Sequence, residues 1–327
     1  IKSWTEVSNP DYRPRAQIWF PRMQEQENAM DTIRTPVLAG SWYPADPGEL
    51  AALADHFLDA ADPSTRPEGK PLVALVPHAG YVYSGPTAGK LYGLLRDVPP
   101  RRIIILSPNH RAALDRVALS GMEAFSTPLG DLAVDRAAVA QLAANDAFVI
   151  DERAHAAEHA VEIQLPLIQR TWPAEPPRIV PLLVPALPED RRREAASALA
   201  ELADEDSLFL VSTDFTHYGE AYGYLPFTEN LPDALEKLDS GAILKILAAD
   251  PDGLRQYGRE TGITMCGLEA TALALEQVIP EGYEGALIDY SRSGDRDADY
   301  SLSVSYASIL LCSGAVDSPP GESDGHE

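Results

Sequence analysis

Short apolar runs that alternate with longer amphipathic stretches constrain this chain most. Residues 72–77 (LVALVP), 102–107 (RIIILS), 178–184 (RIVPLLV), 207–213 (SLFLVST), 286–291 (ALIDYS) and 302–311 (LSVSYASILL) have strand length, and several are hydrophobic almost without interruption. A strand without polar alternation is buried on both faces, which requires helices above and below the sheet. Residues 49–60, 85–95, 136–145, 189–203 and 266–279 supply them, with apolar residues at helical spacing and alanine-rich faces. Strands feeding crossover helices predict an α/β fold: a single mixed, mostly parallel sheet flanked by helices on both faces.

The chain has 327 residues, within the range of one such domain. Residues 1–35 are polar and proline-containing and are expected to form an N-terminal extension; 36–313 is the expected folded unit. Residues 314–327 combine Pro, Gly, Ser and acid, the composition of a disordered acidic tail. With 50 Asp+Glu against 26 Lys+Arg the net charge is −24, which excludes a general nucleic-acid binder because no basic stripe is available to displace counterions. No apolar run reaches the ~18 residues a membrane span needs, and IKSWTEVSNPDYRPR has no apolar leader core. With only Cys266 and Cys312, a disulfide framework is not expected. The expected location is the cytoplasm.

Ligands of open α/β sheets gather beyond the carboxyl ends of the strands. There the sequence places His78 after the run 72–77, His110 after 102–107, and Asp214 and His217 after 207–213. Three of the seven histidines thus leave strands at equivalent points, where they either cap turns or converge on a metal or on a substrate that exchanges protons. Cys266 precedes Gly267 at the expected start of a helix and has two readings, a thiolate ligand or a small buried hydrophobe. Helical spacing would put His159 and Glu162 on one face. The same stretch, His155-Ala156-Ala157-Glu158-His159, matches the H-x-x-E-H pattern of inverzincin peptidases, a zinc reading that leaves the strand-exit histidines unexplained. No phosphate-binding or dinucleotide loop is present in the sequence.

The ordered set Ala39-Gly40-Ser41-Trp42-Tyr43-Pro44, PHAGYVYSG (77–85), SPNH (107–110), STPLGDLAVD (126–135), EHAVEIQLP (158–166), STDFTHYG (212–219) and TMCG (264–267) resembles the MEMO family, whose prokaryotic members are called the B protein of the AmmeMemoRadiSam system. The resemblance implies a fold like the class III extradiol dioxygenases, which hold non-haem iron(II) with two histidines and a carboxylate. It implies that His78 and His110 are the histidine ligands, that Cys266 replaces the carboxylate, and that His217 is the acid/base histidine. By their motif positions Asp214 and His159 line the same pocket. A His, His, Cys set is softer than the dioxygenase set and accepts copper or zinc as well as iron.

Three functions compete at this point. The first is a metal-dependent, dioxygenase-like redox enzyme acting on an unknown small molecule. The second is a non-enzymatic module that binds a peptide or partner in a vestigial pocket. The third is a zinc peptidase using His155, Glu158 and His159. The prokaryotic family name further implies radical-SAM and AMMECR-type pathway partners.

Overall fold

The computed structural model describes residues 32–276, 279–296 and 298–314, so the expectations for the extension up to residue 31 and for the tail beyond 314 lie outside the described residues. Its strands are β1 (Ile33–Arg34), β2 (Pro71–Val76), β3 (Arg102–Pro108), β4 (Val117–Leu119), β5 (Ala124–Thr127), β6 (Gly130–Ala133), β7 (Phe148–Ile150), β8 (Arg178–Val184), β9 (Ser207–Ser212), β10 (His217–Gly219), β11 (Glu284–Arg292) and β12 (Leu302–Cys312). Its helices are α1 (Pro47–Leu58), α2 (Tyr81–Leu94), α3 (Arg136–Ala143), α4 (Glu152–Ala156), α5 (His159–Glu162), α6 (Leu165–Thr171), α7 (Glu189–Ala200), α8 (Leu231–Leu247), α9 (Pro251–Thr261) and α10 (Leu268–Leu275). None of the described helices is long and apolar enough to cross a membrane.

The mixed α/β sheet expected from the apolar runs is present, and all six runs lie in strands. Nine strands form it in the order β10-β12-β2-β9-β3-β8-β4-β7, with β11 also paired to β12. The parallel part is its centre, where β2, β9, β3 and β8 run in one direction. All seven residues of β3 are buried, as its unbroken hydrophobicity requires. Antiparallel partners extend the centre at both sides, β12 beside β2 and β4 beside β8. Antiparallel neighbours need no crossover helix, and β11 is followed by a 3-10 turn at Ser293–Asp295 before β12 begins at Leu302. A separate three-stranded sheet, β1-β5-β6, accompanies the large one. Its strand β1 lies inside the segment assigned to the extension: Ile33 and Arg34 pair with Ala124 and Phe125.

Helix α2 packs on β2, β11 and β12, and α10 packs on β2, β3, β8 and β9. Helix α2 begins three residues after His78, so its anchoring matters for the site. Gly85 and Gly89 face Phe57 of α1, and a β-carbon at either would lie 2.4 or 2.3 Å from that residue. The missing side chain at Gly85 leaves room for the Phe57 ring, and that at Gly89 brings α2 against the Phe57 main chain. At the start of α2, the Tyr81 N–H donates to the Trp42 carbonyl at 2.9 Å, which fixes the loop that carries Trp42.

Candidate metal centre

Strands β2, β3 and β9 end at one edge of the sheet, and the loops that leave them carry His78, His110 and Asp214. The Thr213 N–H donates to the Val76 carbonyl at 2.8 Å, which continues the β2–β9 ladder past the strand ends. Asp214 therefore comes beside His78, and its Oδ1 accepts the His78 backbone N–H at 2.7 Å. The segment ahead of α10 approaches from the side. Its Gly267 N–H donates to Thr213 Oγ1 at 3.0 Å, and a β-carbon at Gly267 would lie 2.5 Å from Thr213 Cβ. Only glycine permits that approach. It brings Cys266 Sγ to 3.2 Å from His78 Nε2 and 3.3 Å from the Asp214 nitrogen.

His78, His110 and Cys266 each offer one ligand atom, and these atoms all lie within 4.8 Å of one another. Donors about 2.1 Å (nitrogen) and about 2.3 Å (sulfur) from a tetrahedral ion are about 3.5 Å apart. The set fits one ion after a small contraction, and two imidazoles with a thiolate suit iron, copper or zinc. A second group, His110, Glu158 and His159, is equally compact. The Glu158 oxygens, however, are already engaged. Oε1 accepts from His110 Nδ1 at 2.9 Å and from the backbone N–H groups of His159 and Ala160 at 2.8 and 3.1 Å, while Oε2 accepts the His110 backbone N–H at 2.9 Å. Burial alone would raise its pKa, but the hydrogen bond from the His110 ring and the proximity of the His159 ring outweigh burial and hold the carboxyl well below the usual range. Glu158 thus supports the ligands, which leaves His78, His110 and Cys266 as the donor set.

The remaining residues singled out by the sequence surround that set. The His159 ring stacks on His110 with centroids 4.4 Å apart, and lies 5.3 Å from the His78 ring and 4.8 Å from the Trp42 ring. Its Nδ1 is 3.1 Å from Glu158 Oε1 but lies off the hydrogen-bonding direction, so it has proximity without a bond. His217 Nδ1 lies 3.0 Å from both the Phe215 and Thr264 carbonyls. Carbonyls only accept, so Nδ1 carries the proton and Nε2 is left as a base. Its ring meets Tyr222 edge-on at 5.1 Å.

Burial disfavours charge on His78, Asp214 and Cys266. Burial, then the neighbouring His159 and His110, pushes His78 well below its ordinary pKa. Burial raises Asp214. Burial and then the Asp214 carboxylate push the Cys266 thiol up, although the side chain keeps some exposed surface. A cation reverses that preference, because a coordinated thiol loses its proton.

One sequence reading is corrected here. The peptidase pattern needs His155 and His159 on one helix, but α4 ends at Ala156, and Glu158 is extended (φ −76°, ψ 132°) as the N-cap of α5. His155 turns away, its Nε2 3.1 Å from the Ala118 carbonyl, and it joins neither of the metal-capable groups among the described residues. His159 and Glu162 do share the single turn of α5, but Glu162 joins neither of the metal-capable groups among the described residues. Glu162 is fully buried and accepts from Arg34 at 2.6 Å, from Tyr43 at 2.7 Å and from the Leu38 N–H at 2.8 Å. Arg34 also donates to the His155 and Glu158 carbonyls at 3.0 and 2.9 Å. The sequence reading did not single out Arg34, Ser212 or Gln164. Gln164 and Glu162 do lie in the EHAVEIQLP stretch, whose polar residues inside an apolar turn are the signal that was available.

The Memo-like protein family matches residues 34–310. A MEMO1 family protein of Thermococcus onnurineus is 35% identical over 292 residues, covering 85% of this chain and 99% of the relative. One from Methanopyrus kandleri is 35% identical over 290 residues, covering 85% and 98%. The memo-1 homolog of Caenorhabditis elegans is 30% identical over 285 residues, covering 84% and 81%. Since the match runs from the first described strand into the last and carries the dioxygenase-like fold seen here, the chain belongs to the Memo-like protein family.

Proposed function

We propose that this chain is a mononuclear non-haem metal protein, with iron(II) as the resident ion and copper as its closest competitor, that carries out redox chemistry on a small organic substrate. The convergence of His78, His110 and Cys266 near a histidine whose Nδ1 is committed to two carbonyls carries the reading. The ion, when bound, supplies open coordination positions and a redox couple. The chain's own residues do the rest. His217 takes or returns a proton through Nε2, since its Nδ1–H is committed to two carbonyls. Asp214 holds the His78 main chain, and its N–H steadies the sulfur. His159 and Trp42 form an aromatic wall against which a flat substrate can lie. The radical-SAM and AMMECR-type partners implied by the prokaryotic family name belong to this proposal as the source of the cellular context.

The test is metal analysis of anaerobically purified, iron(II)-loaded protein, followed by oxygen uptake with a panel of catechols. The expected result is about one ion per chain, a thiolate-to-metal charge-transfer band, and loss of both in the His78→Ala, Cys266→Ser double variant. Full metal content in that variant refutes the site. Bound iron with no oxygen uptake, together with capture of a specific partner independent of metal, gives the pocket to the binding-module reading instead.

A further inference from the structure

We infer that Glu158 and Ser212 are positioning residues that set the ring tautomers of His110 and His78, so that both rings present a bare Nε2 to a metal. The purpose of the device rests on the metal reading above; its geometry does not. Proton positions here follow from partners that can only accept or have nothing left to donate.

For His110 the partner is a carboxylate. Four N–H groups point at the two Glu158 oxygens: the His110 ring Nδ1 and the backbone nitrogens of His110, His159 and Ala160. A carboxyl so surrounded accepts on every side, so the His110 proton sits on Nδ1 and Nε2 is the nitrogen left to ligate. For His78 the partner is a hydroxyl, and the assignment takes one more step. Ser212 Oγ lies 3.2 Å from His78 Nδ1, 2.8 Å from Gln164 Nε2 and 2.6 Å from the Ala160 carbonyl. The Gln164 amide cannot be reversed, since its Nε2 also donates to the Pro77 carbonyl at 2.9 Å while its Oε1 accepts from Tyr92 at 3.1 Å. A hydroxyl has a single proton, and the Ala160 carbonyl, an acceptor only, takes it. Ser212 can then only accept from His78. The His78 proton therefore sits on Nδ1, and its Nε2 lone pair faces Cys266 Sγ at 3.2 Å.

Both assignments return to α5. Its first backbone N–H groups hold Glu158, and its Ala160 carbonyl consumes the Ser212 proton. One short turn thereby fixes two ligands that arrive on different strands. Without it, either ring could carry its proton on Nε2, the atom that has to bind.

Metal-free full-length protein labelled with 15N at histidine tests this, because ring nitrogen chemical shifts distinguish the two tautomers. His78 and His110 are expected as Nδ1–H in the unaltered protein. Ser212→Ala is expected to mix the His78 tautomers and leave His110 alone; Glu158→Gln is expected to do the reverse. Glu162→Gln is the control, a buried carboxylate on the same turn that touches no proposed ligand; it should lower stability and leave both tautomers in place. Titrated with zinc(II) as a redox-silent probe, the Ser212 and Glu158 variants should bind about 10- to 100-fold more weakly than the control. Nε2–H rings in the unaltered protein, or tautomers unmoved in Ser212→Ala, overturn the inference. Nδ1–H rings that respond as expected in a protein that takes up no zinc at all uphold the tautomer assignment and refute the metal reading.

Discussion

At the amino end of the parallel strands, Arg101 reaches Asp204 and Asp206 at 3.5 and 4.0 Å, with all three side chains largely open to water. At the carboxyl end, Glu162 meets Arg34 at 2.6 Å with both groups sealed; Arg34 also donates to the His155 and Glu158 carbonyls, and Glu162 also accepts from Tyr43 and the Leu38 N–H. The residue types are the same and their consequences differ. In water each ion keeps its hydration, so the pair contributes little and either partner can be lost. Behind the candidate metal site both charges are sealed from water, so removing one strands the other. The protein thus keeps tolerant charge pairs at one end of its sheet and a buried polar layer at the end that carries the candidate metal site.

The contrast can be broken or sharpened by experiment. The largest effect is expected from Glu162→Ala, which leaves Arg34 buried without its counter-ion and should cost about 3–5 kcal/mol in urea unfolding. Next is acid sensitivity of the same layer. Burial pushes His155 down to about 4, while its unfolded value is about 6.5. As pH falls below about 6.5 the unfolded chain takes up a proton that the folded chain refuses, so stability drops until pH nears about 4, by about 3 kcal/mol from this group. His78, also buried neutral, adds to the same loss. In His155→Gln the drop over that interval should shrink without vanishing; an unchanged slope would mean His155 is not held neutral. The smallest effect is expected from Arg101→Ala, within about 0.5 kcal/mol at any salt concentration. A cost comparable to that of Glu162→Ala would erase the distinction between the two ends.

How legible all this was depended on distance along the chain. The strand exits could be read because long apolar runs stop abruptly, and His78, His110 and Asp214 stand where they stop. Strands β4 and β7 left no such mark, since three residues are too few for a period. Arg34 was passed over because nothing near it in sequence explains it; its partner Glu162 lies 128 residues further on. Ser212 was hidden for the opposite reason, as the last residue of a buried strand, where a serine reads as the end of the run. The His155–His159 pattern misled because the motif presumes a continuous helix, and the extended backbone at Glu158 breaks it. The resemblance to known sequences picked out the ligand set, whereas the support beneath it became visible only in three dimensions.

Cys266 and Gly267 are constrained in different ways, the first by the chemistry of its side chain and the second by the space its backbone occupies. The backbone at 267 lies against Thr213, and the Ser212 carbonyl is 3.3 Å from where a β-carbon would stand. That contact is between main chain and a rigid branched side chain, so even a methyl group at 267 has to be met by movement of the strand exit that carries Asp214. Position 266 is aimed by the same contact without being filled by it. The element displayed there can change while the bearing on which it points stays fixed by its neighbour. A glycine that touches no ligand thus guards the address of the sulfur more strictly than the cysteine does.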